Sequence, residues 1–387
     1  MSTSTDPSGT IVHEIRWSDA LPWWLLFRAA GAAFAPTVIL LAALGAAATW
    51  AGWSACDRAG LAGGGGTVGI AASTDAGLVL PDGQKPVATP LTPSLGAVPW
   101  VHEATRRLPR PLASLVTLFG VALWPVASWG ELLGAAARLG WFVLVWSIFG
   151  TGITRHVALK LVGEEAPGPV GATLYGSRKW LSAFNSALFV LVGIVALSLP
   201  GALLGLAMRT DWGLAFAGIV WPFVLLGAVV LAILAIGLVY GWPLMVAAVG
   251  VERGDSFQAI STAFSYLYQR PLHYAFYAAV ALAVALPAMA VAALFADATG
   301  ALAMWAASLG MGHERTAAVL DGLSGSGADV PKWGVQAIGF WSRGLAHLLA
   351  SFGWGYFWAI ATAAYMLLRQ DVDGTELDEV VIDEPGE

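Results

Sequence analysis

Charged residues vanish from this chain for twenty or more positions at a time: 182–207 and 213–241 contain none. An α-helix rises about 1.5 Å per residue, so ~20 apolar residues cross the ~30 Å hydrocarbon core of a bilayer. Further stretches almost free of charge are read at about 33–53, 134–154, 272–296 and 345–368. The predicted fold class is all-α: a polytopic transmembrane helical bundle of about six spans with interfacial amphipathic helices. The run 112–129 follows Arg106, Arg107 and Arg110 and is broken by Pro125, and it fits a span, a re-entrant segment or a surface helix.

Local signals refine this layout. Ser18, Asp19 and Pro22 offer a cap and an early-turn proline for a short helix with Trp23, Trp24 and Phe27 on its apolar side. That helix is expected to lie in the interface and lead into the first span, with Pro36 in the first turn of the span. Between the fourth and fifth spans Asp255 can cap, and Gln258 stands three residues on as in a capping box. Phe257, Ile260, Phe264, Leu267 and Tyr268 then recur at helical spacing. The pattern predicts an amphipathic helix along the membrane. A weaker counterpart, Pro169 to Trp180, precedes the third span, which makes a duplicated unit of roughly 90 residues a candidate. Residues 1–31 then form an N-terminal segment and 32–370 the membrane domain, with long connections at 54–112 and 297–344; 371–387 form an acidic tail.

Composition agrees: 58% of residues are hydrophobic, 11% are charged, and mean hydropathy is +0.72, more apolar surface than a water-soluble chain can hide. Many of the 19 Trp fall near predicted span ends, where an indole meets both lipid and water. The formal charge of -6 is concentrated in the tail, which argues against a nucleic-acid partner. A single cysteine, Cys56, excludes an internal disulfide and a cysteine metal cluster. Arg155, Lys160, Arg178 and Lys179 lie between the second and third spans, whereas the next hairpin has only Arg209, beside Asp211. The more basic connection is expected in the cytoplasm, which places both termini there and 54–112 and 297–344 outside.

Candidate chemistry is sparse. Pro222, Pro243 and Pro287 lie in or beside spans as potential helix breaks, which line binding sites in some transporters and are also common in ordinary membrane helices. Gly201 with Gly205, and Gly237 with Gly241, have the small-residue spacing expected to pack the bundle. Arg138 is expected to snorkel to the headgroups, and His347 to hydrogen-bond across helices or to move protons. The six histidines form no HExxH pair, Gly63 to Gly66 precede no phosphate-loop lysine, and Gly322 to Ser326 depart from a nucleophile elbow in their last residue. The residues therefore predict no catalytic, cofactor or metal site. Expected partners are membrane lipids, with the cytoplasmic face or the acidic tail open to a protein partner or simply solvated.

Gly241-Trp242-Pro243-Leu244, Asp255-Ser256-Phe257-Gln258 through Arg270-Pro271-Leu272-His273, and Arg178-Lys179-Trp180-Leu181 carry a family likeness. The chain resembles a group of bacterial multi-pass membrane proteins of unassigned function. More distantly it is similar to the membrane domain that accompanies some glycerophosphodiester phosphodiesterases, without their catalytic domain. The resemblance implies a helical architecture in a bacterial inner membrane and brings no catalytic residues. Three functions remain in view: a non-catalytic envelope scaffold or accessory protein, a transporter or channel for an uncharged or lipidic substrate, and a membrane enzyme.

Overall fold

The computed structural model describes residues 21–61, 128–324 and 331–377. Among these residues nine helices and no strand are present: α1 (Trp24–Ala33), α2 (Pro36–Arg58), α3 (Trp129–Val162), α4 (Pro169–Ala207), α5 (Asp211–Glu252), α6 (Ser256–Gln269), α7 (Pro271–Met311), α8 (His313–Ser324) and α9 (Lys332–Asp373). Ser18, Asp19, the glycine run 63–66, residues 112–127 and the tail beyond 377 lie outside the described residues.

Helix starts follow their local chemistry. Pro36, Pro169 and Pro271 each open a helix, where a missing N–H costs nothing and a fixed φ suits the first turn. Ser128 and Glu131 close a full capping box at the start of α3. Only half of the box predicted at α6 forms. Asp255 accepts from the Gln258 N–H at 2.8 Å, but the Gln258 side chain turns to the Glu252 carboxylate at 3.0 Å. Two more expectations change. The Pro169 to Trp180 segment is the opening of the unbroken helix α4, and much of 297–344 is helical because its alanine-rich run extends α7 to Met311.

Contacts set the threading. Leu41 packs at Gly152 and Trp141 at Gly52, so α2 and α3 are antiparallel. Ala172 meets Gly152 and Gly176 meets Ile148, so α3 and α4 are antiparallel too. Phe142 stacks near both Trp242 and Trp354, while Thr154 donates to the Val246 carbonyl, so α3, α5 and α9 run the same way. Strict alternation of this kind is what successive membrane crossings require.

The core lies where those three parallel helices meet. From Ser351 to Leu368 nearly every residue of α9 is buried, in contact with α1, α2, α3, α5, α6 and α7. Trp146, Trp242, Trp354 and Trp358 cluster there with Phe142, at centroid separations of 4.7 to 6.2 Å. Rings of that size fit because glycines clear space: a Cβ at Gly45 would fall 3.0 Å from Trp146, and one at Gly150 2.9 Å from Trp358.

Outside that core the usual relation of hydrophobicity and burial is inverted. In the most apolar 18-residue stretch of α5 only 6% is buried, and in α4 11%, against 44% in the less apolar α2. Leucines, valines and phenylalanines such as Leu203, Phe223 and Leu226 point outward, which in water would be prohibitive and in lipid is favourable. Among the described residues five helices are long and apolar enough to cross a membrane: α2, α3, α4, α5 and α7. The chain is thus a multi-pass membrane protein by the character of its surface. The sixth predicted span falls in α9, whose 351–368 stretch the other helices shield.

Candidate functional site

The densest polar cluster sits where α3, α5 and α9 end. Glu252, the last residue of α5, pairs with Arg369 Nε at 3.2 Å and accepts from the hydroxyl of Tyr365 and the amide of Gln258. Two further phenols reach the end of α9: Tyr266 donates to Asp373, and Tyr277 donates to Asp371 at 2.7 Å. Tyr365, Arg369 and Asp373 follow one another at four-residue steps on one face of α9, while Asp371, two residues from each of the last two, meets Tyr277 from another face. On the opposite side of α5, Arg155 is 1% exposed, its guanidinium 5.3 Å from the Tyr175 ring centroid. Tyr175 donates to the Val249 carbonyl at 2.8 Å, and Lys179 to the Arg253 carbonyl at 2.9 Å. Arg28 of α1 donates to the Leu161 carbonyl at 2.6 Å, satisfying an orphan acceptor in the last turn of α3.

The phenols of Tyr365, Tyr266 and Tyr277 each point a proton at a carboxylate, so the array is a latch that binds α9 to α5, α6 and α7. Burial, reinforced by the bond to Asp373, raises the Tyr266 phenol above its ordinary value near 10. The folded protein therefore holds this proton more tightly than the unfolded chain. Its stabilising contribution is complete below about pH 10 and is lost as pH rises through and beyond that value. We expect the thermal unfolding midpoint to fall between about pH 9 and about pH 11, and Tyr266→Phe to flatten that fall.

Sequence reasoning missed most of this cluster. Arg155 was expected in a connection, but α3 continues to Val162 and encloses it. The acidic tail predicted from 371 begins inside α9: the helix continues through Asp371 and Asp373, whose carboxylates tyrosines hold. The available signal was the four-residue spacing of Tyr365, Arg369 and Asp373.

The predicted positions are dispersed. Arg138 is 8% exposed and pairs with Asp57 at 2.5 Å, with further bonds to the carbonyls of Leu61 and Gly134. It clamps α2 to α3 instead of snorkelling outward, because a carboxylate is in reach. The Trp53 indole seals this clamp by donating to the Arg138 carbonyl at 3.1 Å. His347 of α9 places Nε2 3.2 Å from the Ala43 carbonyl of α2, an interhelical bond that requires the Nε2–H tautomer. Helix α5 runs unbroken through Pro222 and Pro243, and α7 through Pro287, so none of the three divides its helix. Pro287 does line an open apolar groove of about 380 Å³ with Phe27, Phe34, Ala283, Val284 and Val291.

The apolar stripe of α6 faces α5. Phe264 packs at Gly237, Leu267 is buried, Ile260 is half-buried, and Tyr268 donates to the Ile233 carbonyl, so α6 folds back antiparallel to α5. Phe257 is exposed and stacks on Phe189 of α4 at 5.0 Å. Gly237 therefore packs a neighbouring helix, as the spacing predicted, while a Cβ at Gly201 or Gly205 would meet nothing within 4 Å. Among the described residues no group of three His, Cys, Asp or Glu is placed to hold a metal ion. Comparison of the chain with protein-family models, with curated proteins and with solved structures finds no match.

Proposed function

We propose that the chain is a non-catalytic scaffold or accessory protein of a bacterial inner membrane that receives a transmembrane helix of another protein on its α4–α5 hairpin. The observation that carries this reading is the uncovered face of α4: Gly201 and Gly205 lie one turn apart, open, on a helix whose outer half is exposed. Small residues at that spacing let two backbones approach closely in lipid, where packing replaces the hydrophobic effect as the driving force. Arg155, Lys160, Arg178, Lys179 and Arg369 gather at the Glu252 end, which supports a cytoplasmic placement for that end.

Because a Cβ at either glycine meets nothing within 4 Å among the described residues, Gly201→Ile with Gly205→Ile is expected to leave folding intact. On native gels of membranes solubilised with their lipids the wild type is expected to run as a higher-molecular-mass complex that the same pair of substitutions removes. Identical complexes from the variant and the wild type would defeat the reading. A second reading, a carrier of a lipidic substrate, draws on the open groove beside Pro287.

A further inference from the structure

We infer that the groove beside Pro287 holds an acyl chain of an anionic phospholipid whose headgroup lies at Arg270 and His273. The site goes beyond the scaffold reading and would serve a scaffold or a carrier alike. Its walls are entirely apolar: Phe27 and Phe34 of the α1 region on one side, and Ala283, Val284, Pro287, Ala288 and Val291 of α7 on the other. The neighbouring positions Leu282, Leu286 and Leu294 are 61%, 76% and 70% exposed, so the groove opens onto the lipid-facing wall of a span-length helix.

Helical spacing connects this groove to a cationic end. His273, Phe276, Val280, Val284, Pro287 and Val291 succeed one another at steps of three and four and form a single stripe along α7. Trp23 packs edge-on against Phe276 between the groove and His273, and both Arg270 and His273 are exposed. The distance also fits. From His273 to Pro287 is fourteen residues, about 21 Å of helix. Half of a bilayer including its headgroups is ~20–22 Å. A phosphate held at His273 and Arg270 thus sends its chain to end at the bilayer midplane, where the groove is. Proline contributes by its chemistry as well, since it withholds the N–H that would serve the Ala283 carbonyl and keeps that part of the wall without a long side chain.

The test uses the full chain, stripped of lipid in detergent and titrated with phosphatidylglycerol or phosphatidylcholine, with retained lipid read by native mass spectrometry. The wild type is expected to retain one phosphatidylglycerol in preference to phosphatidylcholine. Ala283 and Val291 are exposed, so Ala283→Phe or Val291→Phe fills the groove without entering the core. Either should lower retention about tenfold or more, whereas Leu282→Phe, beside the groove, should not. Arg270→Gln with His273→Gln should abolish the preference for phosphatidylglycerol while chain binding persists. Thermal unfolding of each variant separates loss of lipid from loss of fold, and two groove-filling positions keep the test decisive if one misfolds. Equal retention in the filled and wild-type proteins would overturn the proposal. So would equal retention of the two lipids by the wild type, or an efficient disulfide between Ala283→Cys and Ile11→Cys, which would make the occupant this chain's own N-terminal segment. None of these outcomes bears on Gly201 and Gly205, so the two proposals fail separately.

Discussion

Gly176→Leu is expected to destabilise the folded protein strongly, while Gly201→Leu on the same helix leaves its stability unchanged. At Gly176 a Cβ would fall well inside contact distance of the Ile148 carbonyl oxygen, and at Gly152, across the crossing, 2.6 Å from the Ala172 carbonyl oxygen. The obstacles are main-chain atoms of α3 and α4, which no side-chain rotation can move aside. Overpacking a core costs about 1–3 kcal/mol where side chains can give way, and more where the backbone must. Separating α3 from α4 would also withdraw Tyr175 from Val249 and Arg155. Against a total stability of about 5–15 kcal/mol, a loss above about 3 kcal/mol is visible as aggregation on size exclusion and a lowered unfolding midpoint. A Gly176→Leu protein that elutes and melts as the wild type does would show that α3 and α4 do not cross this closely.

The contrast between these glycines shows where sequence reading succeeds and stops. A helix interior free of charge is a local property, so the spans 182–207, 213–241 and 272–296 could be placed from composition alone, and each lies inside one helix of the structure. Small-residue spacing is local too, but which face meets a neighbour is decided by the rest of the bundle. Gly201 and Gly205 have the favoured spacing and meet no described residue, whereas Ala172 and Gly176, at the same spacing on the same helix, lie against the α3 backbone at Gly152 and Ile148. Similarly, α9 is rich in Trp, Tyr and Gly, which dilutes its hydropathy, because a helix surrounded by protein is selected for packing and not for contact with lipid.

Polar residues were the least legible. Asp371 and Asp373 have the composition of a solvated tail, and only the phenols of Tyr266 and Tyr277, about a hundred residues earlier in the chain, convert them into structure. Arg138 alone in an apolar stretch reads as a snorkelling cation until Asp57 is brought beside it. In both cases the missing information is a partner distant in sequence.

Glu252 is the member of the latch whose loss should be felt most. Its carboxylate takes a proton donor from Tyr365, Gln258 and Arg369, and the side chains of Glu252 and Arg369 are 15% and 16% exposed, so water replaces little of what is removed. Removing one partner of a mostly buried ion pair costs about 3–5 kcal/mol, because the desolvated charge stays behind. We therefore expect Glu252→Ala to lower stability by about 3 kcal/mol. Glu252→Gln should cost less, since its amide oxygen can still accept from Tyr365 while the attraction for Arg369 is gone. If Tyr365 acts through this carboxylate, Tyr365→Phe should cost about 1 kcal/mol alone and almost nothing once Glu252 is already alanine. Thermal or denaturant unfolding of the four proteins in one lipid environment measures that coupling directly. Additive losses would mean that the two residues stabilise α9 independently and that the latch is not one unit.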